Sequence, residues 1–316
     1  MTLVPNSQML YIIGNGFDLH HQIPSSYADF GRFVSAVDPR LHSLFEEHFS
    51  FDGNWADFEN TLAHLDADLI LDEASVFLVP YSADDWSDAY HHDYQYEVNR
   101  VVSSLSTGLK KRFTEWVCQL TIPAPSTCRV PLLDLPSHAR YLTFNYTSTL
   151  QTLYGVSPDR ITYIHNYAAG PDSDLVLGHG VNPKSIKSLN AGADLEDQDT
   201  RVTQANVCID DYFSRTYKPT DSVISAHQEF FESLSEARRI YVLGHSVSEV
   251  DWPYFALIAE KTKMSAAHWV ASYYDEAEVR FMKDAFSEFG LPPTKVTFAR
   301  IADIHPELFS AGCHSL

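Results

Sequence analysis

Seven short runs of residues, apolar at successive rather than alternate positions, constrain the fold of this chain most strongly. Strands of a parallel sheet that is covered on both faces are buried all round, so their sequences show this continuous pattern. Helical patterns lie between some of the runs, as in residues 222–237 and 275–289. We therefore predict an α/β fold with a Rossmann-like, mostly parallel, doubly wound sheet. The predicted strands are Leu10–Ile13, Tyr141–Phe144, Ile161–Ile164, Leu175–Leu177, Ile240–Leu243, His268–Ala271 and Val296–Phe298.

A long interval without strand patterns follows the first run. Residues 27–120 are rich in aromatic and acidic residues, and segments such as WADFENTLAHLDADLIL place apolar residues at helical spacing. We predict a helical insertion over 27–129, packed over one end of the sheet, and a nucleotide-binding α/β domain formed by 1–26 and 130–316. The polar segment Asn182–Thr220 predicts a long loop or lid.

Charge and cysteine content indicate which binding partners are disfavoured and in which cellular compartment the protein resides. The chain has 316 residues with 42 acids against 22 bases, and this net charge of -20 argues against non-specific nucleic-acid binding. No apolar run approaches the roughly 20 residues of a membrane span, and residues 1–8 lack the pattern of a signal peptide. The four cysteines, at 118, 128, 208 and 313, form no CxxC pair and predict free thiols in a cytoplasmic protein.

The first apolar run ends on Gly14-Asn15-Gly16, a turn that could hold a phosphate at the start of a helix. The third glycine of the dinucleotide fingerprint would fall on Leu19, and no clear second strand carries a ribose-binding acid. A hydride-transferring dehydrogenase is therefore disfavoured. A tight turn without any ligand remains the alternative from the glycines alone.

Polar residues and glycines end four further runs in the same way. Any one of them is more often a plain turn residue. Ligands of open α/β sheets bind at the carboxyl ends of strands, so the set together predicts one site. The five strand ends are Gly14-Asn15-Gly16-Phe17-Asp18, Thr143-Phe144-Asn145-Tyr146-Thr147, Ile164-His165-Asn166, Gly178-His179-Gly180 and Gly244-His245-Ser246.

These motifs resemble the AbiH family, named for bacteriophage abortive infection. The resemblance spans about Tyr11 to Phe255 and implies a role in antiphage defence. It is carried by GNGFDL at residues 14–19 with PSSY at 24–27, WADFE at 55–59, FNYT at 144–147, IHN at 164–166, and GHSVSEVDWPYF at 244–255.

The same layout more distantly resembles sirtuin-type NAD-binding domains, in which a Gly-x-Gly turn, a strand-end Asn and a later His follow in order. Gly14 with Gly16, Asn145 and His165 have that order here. The zinc-binding cysteine quartet of sirtuins is absent, which argues against deacetylation. The resemblance implies NAD as substrate or ligand and its hydrolysis to nicotinamide and ADP-ribose, with no metal expected.

This resemblance implies roles for four of the five strand ends. Asn145 would hold a water or a ribose hydroxyl, His165 would act as general base, and Asp18 would bind ribose or balance developing positive charge. The turn formed by Gly14, Asn15, Gly16 and Phe17 would offer backbone amides to the diphosphate. The turn formed by Gly244, His245 and Ser246 would contact the second ribose.

Plainer structural roles compete for the acidic residues. Asp18 could cap the following helix, and Asp251, before Trp252-Pro253, is typical of a helix start. Glu59 could be a helix-face acid, or it could reach into the site if the helical insertion folds over it.

Three other functions remain open. Gly244-His245-Ser246-Val247-Ser248 approximates a nucleophile elbow with Ser246 as nucleophile, Asp275 or Asp303 as acid and His305 as base. His20-His21 and His91-His92-Asp93 could serve a metal-dependent nuclease, although adjacent side chains point to different sides. The pocket could also be a non-catalytic nucleotide sensor, with a homo-oligomer or a phage-derived trigger as further partner.

Overall fold

A six-stranded, wholly parallel sheet organises the first part of the fold, in the order β3-β2-β1-β4-β5-β6. This is the order of the Rossmann fold, so the predicted fold class is confirmed. The computed structural model describes residues 8–49, 53, 55–84, 86–87, 90–192 and 198–305. The strands are β1 Met9–Ile13, β2 Arg140–Thr143, β3 Ile161–Tyr163, β4 Arg239–Leu243, β5 His268–Tyr273 and β6 Val296–Arg300.

Six of the seven predicted strands form, and one does not. Leu175–Leu177 is irregular chain. Both leucines of this segment are buried, so apolar packing rather than strand pairing accounts for its composition. A three-residue apolar run is too short to distinguish the two.

Tyrosine rings form a ladder across the three central strands. Tyr11 pairs in register with Tyr141 on one side and Tyr241 on the other. The Tyr11 ring stacks on these neighbours at centroid distances of 5.2 and 4.7 Å. All three side chains are buried, which raises the pKa of each phenol. Because parallel strands in this register place equivalent positions side by side, the ladder forms one face of the core.

Thirteen α-helices are described. They are α1 Asn15–His20, α2 Tyr27–Val37, α3 Pro39–His48, α4 Phe58–Thr61, α5 Ala67–Ala74, α6 Tyr90–Ser103, α7 Leu109–Gln119, α8 Thr149–Tyr154, α9 Thr200–Arg215, α10 Thr220–Ala226, α11 Gln228–Glu232, α12 Trp252–Thr262 and α13 Glu276–Glu288. The helix predicted over 222–237 is instead broken into α10, α11 and a 3₁₀ turn, whereas α13 matches its prediction. None of the described helices has the length and apolarity needed to cross a membrane.

The described residues divide into two compact units. The first comprises those within 1–26, 117–175 and 220–316 and contains the sheet. The second comprises those within 27–116 and 176–219. The predicted helical insertion after β1 is confirmed, since the described part of 27–120 contains no strand. Its core is aromatic, with Phe30, Phe58 and Phe113 buried against one another.

The prediction of a long loop over 182–220 is wrong. Its centre forms α9, which begins after Asp199, whose carboxylate accepts a hydrogen bond from the Arg201 amide at 2.9 Å. Ala205, Ile209 and Tyr212 are buried at helical spacing. Three anchors on one face suffice for packing, while the polar residues on the other face hide the pattern. Residues 193–197, residues 1–7 and the predicted free thiol at Cys313 lie outside the described residues.

Candidate functional site

The two glycine turns after β1 and β4 pack directly against each other. The Gly14 amide donates to the Leu243 carbonyl at 3.0 Å, and the Gly16 amide donates to the Gly244 carbonyl at 2.7 Å. The Phe17 amide donates to the Gly14 carbonyl at 2.9 Å. In this conformation three of the four amides predicted to bind a diphosphate, those of Gly14, Gly16 and Phe17, are therefore already engaged by carbonyl oxygens.

Close backbone approach explains why glycine occupies this turn. A Cβ on Gly16 would lie 2.9 Å from the Gly244 Cα, and a Cβ on Gly244 would lie 2.0 Å from the Phe17 nitrogen. Gly244 also has a φ of +66°, in the left-handed region that disfavours other residues. The glycines are thus required for packing of the two turns whether or not a ligand binds.

This packing can be measured with a pair of glycine substitutions. Gly290 has a similar φ of +74°, but a Cβ there would meet nothing within 4 Å. We expect Gly244→Ala to lower the free energy of unfolding by about 1–2 kcal/mol more than Gly290→Ala, because only the first forces backbone atoms apart. Urea denaturation of both variants measures the difference. Equal losses would show that the two turns do not touch in solution.

Asp18 lies inside α1 with its carboxylate buried. The Thr147 hydroxyl donates to Asp18 Oδ2 at 2.6 Å, and the hydroxyls of Thr147 and Thr149 are 3.0 Å apart. Burial raises the pKa of Asp18 to about 6, while Thr147, Thr149 and Asn145 act to lower it. The helix begins three residues before Asp18, so the interpretation of Asp18 as its N-cap is wrong.

Asn145 follows β2 beside this carboxylate. Its backbone amide donates to Thr143 Oγ1 at 3.1 Å. The side-chain Nδ2 is buried without a partner of hydrogen-bonding geometry, and the same holds for Asp18 Oδ1. Buried polar atoms are nearly always paired, so two unpaired atoms in adjacent side chains call for an explanation. We refer to Asp18, Asn145 and Thr147 as the Asp18 cluster.

A cleft of about 110 Å³ lies next to the cluster. Thr147, whose hydroxyl bonds Asp18, belongs to its wall. Pockets for drug-sized ligands measure about 300–1,000 Å³, so this cleft could take one ring but not a dinucleotide. Other residues of the wall are Leu120, Ile122, Tyr146, Ser148 and Tyr167.

A second buried group joins the ends of β3 and β4. His165 Nε2 lies 3.7 Å from Asp251 Oδ1, and His245 Nε2 lies 3.4 Å from Asp251 Oδ2. The Val247 amide donates to His245 Nδ1 at 2.9 Å, and the Ser248 hydroxyl donates to Asp251 Oδ2 at 3.3 Å. We refer to His165, Asp251 and His245 as the His-Asp-His group.

Asp251 is the site residue that interpretation of the sequence missed. A helix does start there, as predicted, because α12 begins at Trp252. The Asp251 side chain, however, makes no capping hydrogen bond and is buried facing the histidines. Its place in the GHSVSEVD motif was the available signal, but the following Trp-Pro favoured a purely structural role.

The turn Gly178-His179-Gly180 does not belong to this set, because no strand precedes it and it lies in the second unit. The His179 amide donates to the Thr216 carbonyl, and the Lys218 amide donates to the His179 carbonyl, both at 2.9 Å. Four of the five predicted ends therefore follow strands of the sheet. The turn at 178–180 instead ties two segments of the second unit together.

Glu59 also has a partner within the second unit. Its Oε1 lies 2.9 Å from the buried Lys218 Nζ, and the Gly178 amide donates to the same oxygen at 3.4 Å. Glu59 lies in α4, in line with the helix-face interpretation, but its side chain is only 13% exposed.

The structure gives little support to the metal-dependent nuclease or the serine hydrolase. His21 bonds the Phe17 carbonyl and the Tyr154 hydroxyl, and among the described residues no group of three His, Cys, Asp or Glu side chains is arranged to hold a metal ion. Ser246 is exposed, and the described residues include no hydrogen bond from it to a histidine or an acid. Asp275, its candidate partner, caps α13 through the Glu278 amide.

Comparison with known proteins identifies the family. A search of curated proteins finds no match. The family model described as bacteriophage abortive infection AbiH matches residues 10–273. That range includes the glycine turns, the Asp18 cluster and the His-Asp-His group. The likeness to sirtuins and the binding of NAD remain predictions. The chain belongs to the AbiH family of bacteriophage abortive infection proteins.

Proposed function

We propose that this AbiH protein binds a nucleotide at the carboxyl edge of its sheet and hydrolyses NAD to nicotinamide and ADP-ribose during antiphage defence. The Asp18 cluster carries the proposal. Asp18 and Asn145 follow neighbouring strands. Asp18 Oδ1 and Asn145 Nδ2 are buried without a partner of hydrogen-bonding geometry, although Asn145 is close enough to lower the pKa of Asp18. Ligands of sheets with this strand order bind at the same edge.

Hydrolysis of NAD would need only a few side chains of the protein. As the bond between ribose and nicotinamide breaks, its electron pair stays with the departing nicotinamide and positive charge develops on the ribose. The Asp18 carboxylate, whose pKa of about 6 leaves it mostly ionised at pH 7, would stabilise that charge. Asn145 would orient the attacking water, and His165 would accept its proton.

The packing of the two glycine turns against each other supports an inactive resting conformation. The amides of Gly14, Gly16 and Phe17 are engaged by carbonyl oxygens, and the cleft of about 110 Å³ is too small for a dinucleotide. Binding would therefore require the turns to part. NAD would favour the parted form by binding only to it, and a phage-derived trigger or oligomer formation would increase the parted fraction. The same observation favours a second candidate, a nucleotide sensor that changes conformation without turnover.

Paired measurements on the purified full chain test the proposal. NAD binding is followed by calorimetry and nicotinamide release by chromatography, for wild type, Asn145→Ala and His165→Ala. We expect Asn145→Ala to reduce release at least about 100-fold, because it removes a group that orients the reacting water. Its thermal midpoint should stay close to that of wild type, and a chelator should not inhibit.

The control is Asn60→Ala, whose amide already donates to Asp57 at 2.7 Å within the second unit. It should leave release unchanged. Unchanged release in Asn145→Ala would remove Asn145 from the mechanism. Binding without release in wild type would favour the sensor, and the absence of both would contradict the proposal.

A further inference from the structure

We infer that Asp251 is a positioning residue that holds His165 in the tautomer and orientation of a general base. The inference deepens the proposed function and rests on it for the base role of His165. The orientation itself can be tested without NAD. The Asp251 carboxylate does not cap the helix that follows it. Instead, each of its two oxygens faces a histidine.

Other aspartates in the chain show what a capping role looks like. Asp38, Asp66, Asp199 and Asp275 each precede a helix, and each accepts a hydrogen bond from a backbone amide of its first turn. Asp251 also precedes a helix but makes no such bond. Its side chain is instead directed at His165 and His245, with all three residues at most 6% exposed.

The tautomer of His245 follows from its neighbours. The Val247 amide donates to His245 Nδ1 at 2.9 Å, so in the neutral ring the proton is on Nε2, which faces Asp251. Val247 has a φ of +57°, an unfavourable conformation for a β-branched residue. Strain of this kind persists where the surrounding structure enforces it, often at functional sites. The Trp252 indole supports the turn by donating to the Val247 carbonyl at 2.9 Å.

Asp251 also faces the Nε2 atom of His165. Its Oδ1 faces His165 Nε2 at 3.7 Å, a separation longer than a hydrogen bond but typical of groups that tighten when substrate binds. A proton held on Nε2 leaves the lone pair on Nδ1 to accept a proton from water. The negative carboxylate would then stabilise the imidazolium that forms, as in other aspartate-histidine pairs.

Phe144 packs against both histidines of the His-Asp-His group. Its ring contacts His165 and His245 edge to face, with centroids 5.2 and 4.4 Å apart. An apolar wall strengthens the attraction between the carboxylate and the imidazoles, because water is kept away from both. The burial also limits the rotation of each ring.

Nitrogen-15 spectra of histidine-labelled protein report the tautomers directly. In wild type we expect His165 and His245 to carry the proton on Nε2. Asp251→Asn should alter the spectrum of His165 and reduce kcat for nicotinamide release at least about 100-fold, with little change in KM, because a wrong tautomer cannot accept the proton. Asp275→Asn, a substitution of a capping aspartate, should change neither.

The two readouts separate the two proposals. A wild-type protein that releases no nicotinamide but shows the Nε2 tautomer and its change in Asp251→Asn would contradict NAD hydrolysis and retain the positioning role. A proton on Nδ1 of His165 in wild type would overturn the inference even if Asp251→Asn failed to fold. An unchanged His165 spectrum in a folded Asp251→Asn variant would overturn it as well.

Discussion

Replacing Glu59 with glutamine should lower the free energy of unfolding by about 3–5 kcal/mol, because it leaves the Lys218 ammonium buried without its carboxylate. Lys218 is 1% exposed and lies 2.9 Å from Glu59 Oε1. Glutamine retains the size of the side chain and can still accept a hydrogen bond from the Gly178 amide. The loss therefore reports the charge pair rather than a cavity, and urea denaturation at pH 7 measures it.

Two further variants make this result specific. Glu59→Leu combined with Lys218→Met removes both charges and should recover much of the stability, since an apolar pair of similar volume needs no desolvation. Asp211→Asn breaks the exposed pair with Arg215, whose side chains are 55% and 35% exposed, and should cost less than about 1 kcal/mol. A loss in Glu59→Gln as small as that of Asp211→Asn would show that water reaches Lys218.

Replacing Asp18 with asparagine should make the protein more stable relative to wild type at neutral pH than it does in acid. Burial raises the pKa of native Asp18 from 3.8 to about 6. The stability associated with this raised pKa is fully present below about pH 4 and is lost as the pH rises through 6. The difference in unfolding free energy between Asp18→Asn and wild type should therefore grow by about 2–3 kcal/mol from pH 4 to pH 7.

Denaturation of both proteins across that pH range measures the effect. Asp284→Asn, on the exposed face of α13, is the control for the change from carboxylate to amide at a solvent-exposed position. A flat difference for Asp18→Asn would mean that its carboxylate is solvated. Loss of turnover together with a gain of stability would show that the buried charge is kept for function at the expense of stability.

The parallel strands were predictable because a strand buried on both faces needs apolar residues at every position. Single residues at strand ends carried less information. Asp18 and Asn145 were found because β1 and β2 are neighbours and end at one edge. The predicted site also included His179, but Leu175–Leu177 is irregular chain and His179 lies in the second unit.

Asp251 shows the opposite error. Trp252 and Pro253 correctly predicted a helix start, and this local explanation was taken as the whole role of the aspartate. Whether an aspartate caps a helix or faces another group depends on what lies opposite its side chain. His165 lies 86 residues away in the sequence, so no local pattern could indicate that contact.

The sequence by itself determined the Rossmann-like parallel sheet, the helical insertion and the AbiH family, because these depend on local periodicity and on motifs read in order. The tertiary structure alone decided which polar groups are buried together. It paired Glu59 with Lys218, set Asp251 between two histidines and closed the glycine turns on each other. Charges and hydrogen bonds act over a few ångströms, so they depend on contacts between distant segments that only the fold creates.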